Sequence, residues 1–213
     1  LGTDNTDLTF GMTSTIDLSA ATGTNVINTV GSAAGTVTTI TLASEGGGDT
    51  IQVDDDNASI VIKNFQTGSG GDVLDLDDSG MGVLVEGAGG VPASTGREIE
   101  ELSAAETLDA DDDLLVLVGE VYATTDLVET ALEKNGTRAI ALGGDLSANE
   151  DLAVLWSDGS NSYLGVLNVT TAVDISSDAA VASNATLTTI AELTGVDVSV
   201  SGTFTAANFD LYA

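Results

Sequence analysis

Gly46-Gly47-Gly48-Asp49-Thr50-Ile51-Gln52-Val53-Asp54-Asp55-Asp56-Asn57 and, one apolar stretch later, Ile62-Lys63-Asn64-Phe65-Gln66-Thr67-Gly68-Ser69-Gly70-Gly71-Asp72-Val73-Leu74-Asp75-Leu76 decide how this chain reads. Each sets a glycine-rich turn directly before an Asp and a short run in which apolar and polar residues alternate. Alternation with a period of two is the mark of a strand that buries one face. The same pattern extends outward in Ile16-Asp17-Leu18, Asn25-Val26-Ile27, Val37-Thr38-Thr39-Ile40-Thr41-Leu42 and Ser59-Ile60-Val61-Ile62. These candidate rungs are rich in Thr, Val and Ile, residues that suit a pleated surface, and recur roughly every 8 to 13 residues. Helix signals are absent from this stretch. Evenly spaced short strands separated by turns predict a sandwich, a barrel or a parallel β-solenoid. The expectation is a mainly β chain: a β-solenoid or β-sandwich N-terminal half, then a β-rich C-terminal half with one or two short helices.

Three segments follow from the text: a Gly/Thr/Asp-rich β domain over 1–80, a connector over 81–113 and a mixed, β-rich domain over 114–213. The connector is first glycine-rich (Gly87 to Gly90), holds the single proline, Pro92, and ends in Asp111-Asp112-Asp113. Within it, Glu98 to Leu108 reads as a short helix. Beyond it, Leu114-Leu115-Val116-Leu117-Val118 is a continuous apolar run, as expected of a buried strand. Thr125 to Gly136 is the best helix, with Thr124 or Thr125 as N-cap and Asn135-Gly136 as its stop. Ala153 to Trp156 and Tyr163 to Leu167, joined through Ser157-Asp158-Gly159-Ser160-Asn161-Ser162, predict a hairpin. Thr188 to Leu193 and Phe204 to Tyr212 close the chain, the last as a short strand.

Charge narrows the function classes. The chain carries 34 Asp and Glu against four basic residues (Lys63, Arg97, Lys134 and Arg138), a net charge of -30 over 213 residues. It is nevertheless 42% apolar with a mean hydropathy of +0.24, unlike a disordered acidic tail. Four cations cannot build a phosphate-binding surface, so nucleic acid is excluded as a partner, and anionic membranes with it. Without His or Cys there is no Ser-His pair, no thiolate nucleophile and no usual zinc, copper or iron ligand set. No stretch has the length of a membrane helix, so no membrane insertion is expected. No basic n-region with an apolar core opens the text, so no N-terminal export signal is expected. A start at Leu1 is what a processed product or a piece of a longer chain would show.

Taken together, the quoted glycine–aspartate stretches resemble the end of an RTX-type β-roll, in which Gly-Gly-x-Gly-x-Asp repeats give way to an Ile-x-Asn-Phe-x-x-Gly-x-Asp-x-Leu-Asp-Leu cap. Leu155-Trp156-Ser157-Asp158-Gly159 with Tyr163-Leu164-Gly165-Val166 is similar to a hairpin common near the ends of type I-secreted bacterial proteins. Leu193-Thr194-Gly195-Val196 with Phe204-Thr205-Ala206-Ala207-Asn208-Phe209 is similar to their closing motif. The resemblance covers roughly 45–78 and 150–213; the tandem nonapeptide itself is not intact. It implies export through a C-terminal signal and calcium as the bound ion, and by itself no activity.

Calcium also follows from the charge, since densely packed carboxylates repel unless hard, oxygen-seeking cations sit among them. The candidate ligands are Asp49, Asp54, Asp55, Asp56, Asp72, Asp75, Asp77 and Asp78, with Asp111, Asp112 and Asp113 as a second group. The blander alternative for both is a solvated acidic surface. No full EF-hand loop is present. Asp78-Ser79-Gly80 matches the aspartic-protease tripeptide, but that chemistry needs two copies sharing a proton and only one exists. Trp156 and Tyr163 are expected as cross-strand core partners rather than a sugar-stacking platform. The leading expectation is a non-enzymatic, secreted structural protein. It would be a homopolymer subunit of an S-layer, filament or other extracellular or cell-surface polymer, held by calcium. The alternative is the C-terminal secretion and folding module of a larger adhesin or hydrolase.

Overall fold

Six short strands lead the fold: β1 (Ser14–Asp17), β2 (Val26–Asn28), β3 (Val37–Thr41), β4 (Thr50–Gln52), β5 (Ser59–Lys63) and β6 (Val73–Asp75). The computed structural model describes residues 14–29, 37–46, 48–53, 59–76, 98–108, 112–133, 135–142, 151–169 and 185–210. Strands β1, β3 and β5 lie side by side and parallel in one sheet; β2, β4 and β6 do the same in another. The chain thus winds as a parallel β-solenoid and not as an antiparallel sandwich. Val37 pairs with Ser59 and Val26 with Thr50, so one coil takes 22 to 24 residues. The sequence spacing of about half that arises because each coil visits both sheets.

Alternation builds the core. Ile16, Ile40, Ile60 and Ile62 point inward from the first sheet and meet Ile27, Ile51 and Leu74 from the second, all nearly inaccessible to water. Their neighbours Thr15, Asp17 and Lys63 are exposed.

The later elements are β7 (Glu98–Leu102), β8 (Glu106–Leu108), β9 (Asp112–Leu117), α1 (Thr125–Leu132), β10 (Ile140–Leu142), β11 (Asp151–Ser157), β12 (Ser162–Val169), β13 (Ala185–Thr194) and β14 (Phe209–Asp210). They extend the first sheet to eight strands in the order β1-β3-β5-β13-β12-β11-β9-β7. Strand β14 joins the second sheet beside β6, making four strands, and β8 pairs with β10 in a third. Because β13 lies parallel against β5 and β14 against β6, the end of the chain supplies a fourth coil to a roll begun at its start.

Glu98 to Leu108 is not the helix its sequence suggests but two strands, β7 and β8. Ile99 packs toward the roll core, whereas Leu102 packs into a second core on the opposite face of the sheet. Two cores, one per face, reward an extended chain, and tertiary burial overrides the local preference.

The second core forms where α1 covers β9, β11 and β12: Leu115, Leu117, Leu152, Val154, Trp156 and Leu167 meet Val128, Ala131 and Leu132. Leu114, Val116 and Val118 face the roll core instead, so the apolar run is buried on both sides. Thr124 is the N-cap of α1, its hydroxyl accepting from the Leu127 N–H at 3.4 Å. The helix closes at Leu132, short of Gly136. Asn135 takes a φ of +72°, and a side chain on Gly136 would meet the Ala131 carbonyl oxygen at 2.2 Å. The hairpin β11–β12 is antiparallel with Trp156 opposite Tyr163, as the sequence suggests.

Candidate functional site

The glycine–aspartate text folds into one corner of the roll, where the chain enters the four-stranded sheet. Asn25, Asp49 and Asp72 each stand one residue before β2, β4 and β6, and the strand register stacks them on successive coils. Asp49 Oδ1 accepts from both the backbone N–H and the side-chain amide of Asn25, each at 2.8 Å. One coil on, Asp72 Oδ1 accepts from the N–H groups of Gly48 at 3.1 Å and Asp49 at 3.0 Å. Its Oδ2 accepts from the Gln66 N–H at 2.8 Å.

Asn208, just ahead of β14, finishes the ladder. Its amide donates to the Asp72 carbonyl at 2.9 Å, and its Oδ1 accepts from the Gly68 N–H at 2.8 Å. All four side chains are buried. The turn before Asp72 can be this tight only because residue 71 is Gly: a Cβ there would lie 2.2 Å from the Gln66 carbonyl oxygen.

Burial pushes the Asp72 carboxyl above its ordinary value of 3.8. Hydrogen bonds from Gln66, Asp49 and Gly48 pull it down, and the Asp49 charge adds to the upward push. The ladder's chemistry is therefore that of a backbone cap: its oxygens hold N–H groups that the turns leave without ladder partners.

The structure brings Asp49 and Asp72 together and sets Asp75 apart from them. Asp75 lies on β6, where its Oδ2 accepts from the Gln52 amide at 3.0 Å, and Asp210 is its register partner on β14. Asp112 and Asp113 open β9. Asp54, Asp55, Asp56, Asp77, Asp78 and Asp111 lie outside the described residues, as does Asp78-Ser79-Gly80. Among the described residues, no three carboxylates are grouped so as to hold a metal ion. Sequence reasoning passed over Asn25 and Asn208 as ladder members. The signal for Asn25 was present: Asn25-Val26-Ile27 repeats the Asx-x-aliphatic text of Asp49-Thr50-Ile51 and Asp72-Val73-Leu74.

Two further polar groups brace the other half. Arg138 is buried, donating to the Val118 carbonyl at 2.7 Å and to the Thr137 carbonyl at 3.1 Å, with Glu120 at 3.7 Å. The Tyr122 and Thr137 hydroxyls donate to Glu120 and hold its carboxyl below its usual value. Trp156 and Tyr163 stack with ring centres 5.7 Å apart. Trp156 is only 2% exposed, so the pair is core packing and presents no open ring face to a sugar.

No protein-family model matches the chain, and no curated protein or solved structure matches it either.

Proposed function

We propose that this chain is a secreted, non-enzymatic structural protein, a subunit of a calcium-stabilised S-layer, filament or other extracellular polymer. The observation that carries the reading is the buried ladder at the roll's corner. Of the acidic residues that stand out in the sequence, Asp49 and Asp72 are committed there to holding coil against coil. A net charge of -30 sits around that frame. Carboxylates so numerous repel both within a molecule and between neighbours, and divalent cations relieve both. Assembly in which cations bridge acidic surfaces links the charge to the architecture.

Electron microscopy of the purified chain with millimolar calcium, repeated after a chelator, tests this. Ordered sheets or fibres that dissolve in chelator are expected; dispersed particles under both conditions would overturn the reading. One observation favours the second reading, a C-terminal secretion and folding module of a larger adhesin or hydrolase. Strands β13 and β14 complete the roll only when the last part of the chain is in place. A roll of that kind folds late, as suits a chain that crosses a membrane unfolded.

A further inference from the structure

Oxidants have few targets in this chain. It holds no Cys and no His, two Met, one Trp and three Tyr. Met12, Met81 and Tyr212 lie outside the described residues, which leaves Trp156, Tyr122 and Tyr163. Trp156 and Tyr122 are sealed in the second core at 2% and 6% exposure, whereas Tyr163 is half-buried at its rim.

Tyr163 sits between the buried indole and a base. Its ring stacks on Trp156 with centres 5.7 Å apart and 25° between the planes. Its hydroxyl donates to Asp158 Oδ2 at 2.8 Å. Asp158 Oδ1 accepts from the N–H groups of Ser160 at 2.8 Å and Asn161 at 2.9 Å, so the β11–β12 turn fixes the carboxylate in place. The Asn161 side chain is the phenol's other partner, and an amide takes up no proton. Two more carboxylates stand near: Glu192, the register partner of Tyr163 on β13, and Asp197, whose charge interacts with that of Asp158.

From this arrangement we infer that Tyr163 with Asp158 is a proton-coupled oxidation site, which draws an electron vacancy off the buried Trp156 and holds it as a tyrosyl radical. The inference goes beyond the polymer reading and does not depend on it. The co-reactant is a one-electron oxidant strong enough to oxidise indole or phenol. One electron leaves for that oxidant, directly from Tyr163 or by way of the Trp156 ring. The phenolic O–H bond breaks, and its proton forms a new O–H bond at Asp158 Oδ2. A neutral tyrosyl radical and a carboxylic acid remain. When a one-electron reductant returns the electron, Asp158 returns the proton.

Electron and proton have to leave together. Burial holds the phenol above its ordinary value of 10.0, and the Asn161 N–H holds Asp158 below 3.8, so the proton stays on Tyr163 until the electron goes. Losing an electron turns a phenol into a very strong acid, and even a weakly basic carboxylate then takes its proton. The packing gives the reason for diverting the vacancy. A Cβ at Gly165 would lie 2.8 Å from Trp156 Cζ3, so the indole has no room for an added oxygen. Oxygenation of Trp156 would therefore break the second core.

Flash oxidation of the whole chain by photogenerated tris(bipyridyl)ruthenium(III) tests this, read by transient absorption and electron paramagnetic resonance. The wild type should give a tyrosyl radical. Tyr163→Phe keeps the ring stack and removes the proton, so a tryptophanyl radical should persist and oxygenated Trp156 should increase in mass spectra. Asp158→Asn keeps an oxygen for the two turn N–H groups but turns its NH2 toward the phenol. Tyrosyl formation should then slow roughly 100-fold, the low end of what a positioned base contributes to proton transfer. Glu192→Gln should leave the rate unchanged. An undiminished tyrosyl signal in Tyr163→Phe would put the vacancy on another tyrosine and overturn the inference. So would an unchanged rate in Asp158→Asn, or a loss in Glu192→Gln of the size expected for Asp158. Should Asp158→Asn misfold, the wild-type pH profile decides. Tyrosyl formation should stay level above 3.8 and fall as Asp158 is protonated below it, and a profile flat throughout overturns the role of that carboxylate.

Discussion

The roll and the stretch from β7 to β12 share one sheet but hold together by different means. In the roll, strands bury alternate residues: along β5, Ile60 and Ile62 are sealed while Val61 is half-buried and Lys63 exposed. Successive coils are locked at a corner by the polar ladder of Asn25, Asp49, Asp72 and Asn208. In β9 every residue from Leu114 to Leu117 is at most 1% exposed, because the roll core takes one face and α1 the other. One region gets its register from hydrogen-bonded carboxylates, the other from apolar packing on two sides. Acidic conditions and core truncation should therefore affect them differently.

The largest effect should come from an alanine scan of the two strands. Leu117→Ala should cost about 2–5 kcal/mol, the range for a buried leucine whose site cannot collapse, and Leu115→Ala and Leu114→Ala should match it. In β5 the pattern should alternate, with Ile60→Ala and Ile62→Ala costly and Val61→Ala mild. Urea denaturation of each variant reads this. A uniform profile along both strands would erase the distinction.

Next in size is the corner itself. Asp72 divides its two oxygens among three N–H donors, and an amide at that position must turn its NH2 toward one of them. Asp72→Asn should therefore cost about 1–3 kcal/mol, the range for leaving a buried donor unmet. The loss should be confined to the roll: amide exchange should speed up in β4 and β6 while β9 and β11 keep their protection.

Much of the roll is legible in the text, and the reason is local. Gly turns, Asx residues and alternating Val, Ile and Thr specify each half-coil on its own, so all six early strands can be placed from sequence. What could not be read was which strands become neighbours. The pairing of β5 with β13 joins Ile60 to Ala191 across more than half the chain, and no local pattern encodes it. The misreading of Glu98 to Leu108 has the same source, since a helical spacing of apolar residues also serves a strand with a core on each face. At the site, Asp49 and Asp72 stand out as carboxylates beside glycines. That their oxygens face backbone N–H groups rather than open space depends on the 22-to-24-residue coil, which the half-coil spacing conceals.

Acid should separate the regions further. Burial raises Asp72 above 3.8, so the folded roll holds its proton more tightly than the unfolded chain. Its contribution to stability is full below pH 3.8 and is lost as pH rises through the folded value. In the β11–β12 turn Asp158 lies below 3.8 through the Asn161 N–H, and beside that turn, just after β13, Asp197 does so through the Ser199 hydroxyl. Theirs is present above 3.8 and lost as pH falls through the lowered values. A carboxyl-resolved NMR titration should place Asp72 above the unfolded midpoint and the other two below it. Finding all three on one side would remove the contrast.

The smallest effect makes the sharpest test of the ladder's geometry. Asp49 differs from Asp72 in how its donors converge: the N–H and the amide of Asn25 both land on Oδ1. An amide oxygen can take that place and keep both bonds, with its NH2 turned toward the position Oδ2 now holds. The substitution also lifts a charge from beside Asp72, one of the causes that push the Asp72 carboxyl upward. Asp49→Asn should therefore change stability by about 0.5 kcal/mol or less and lower the Asp72 titration midpoint. Equal losses in Asp49→Asn and Asp72→Asn would mean that the charge of the corner, rather than the direction of its donors, holds the coils together.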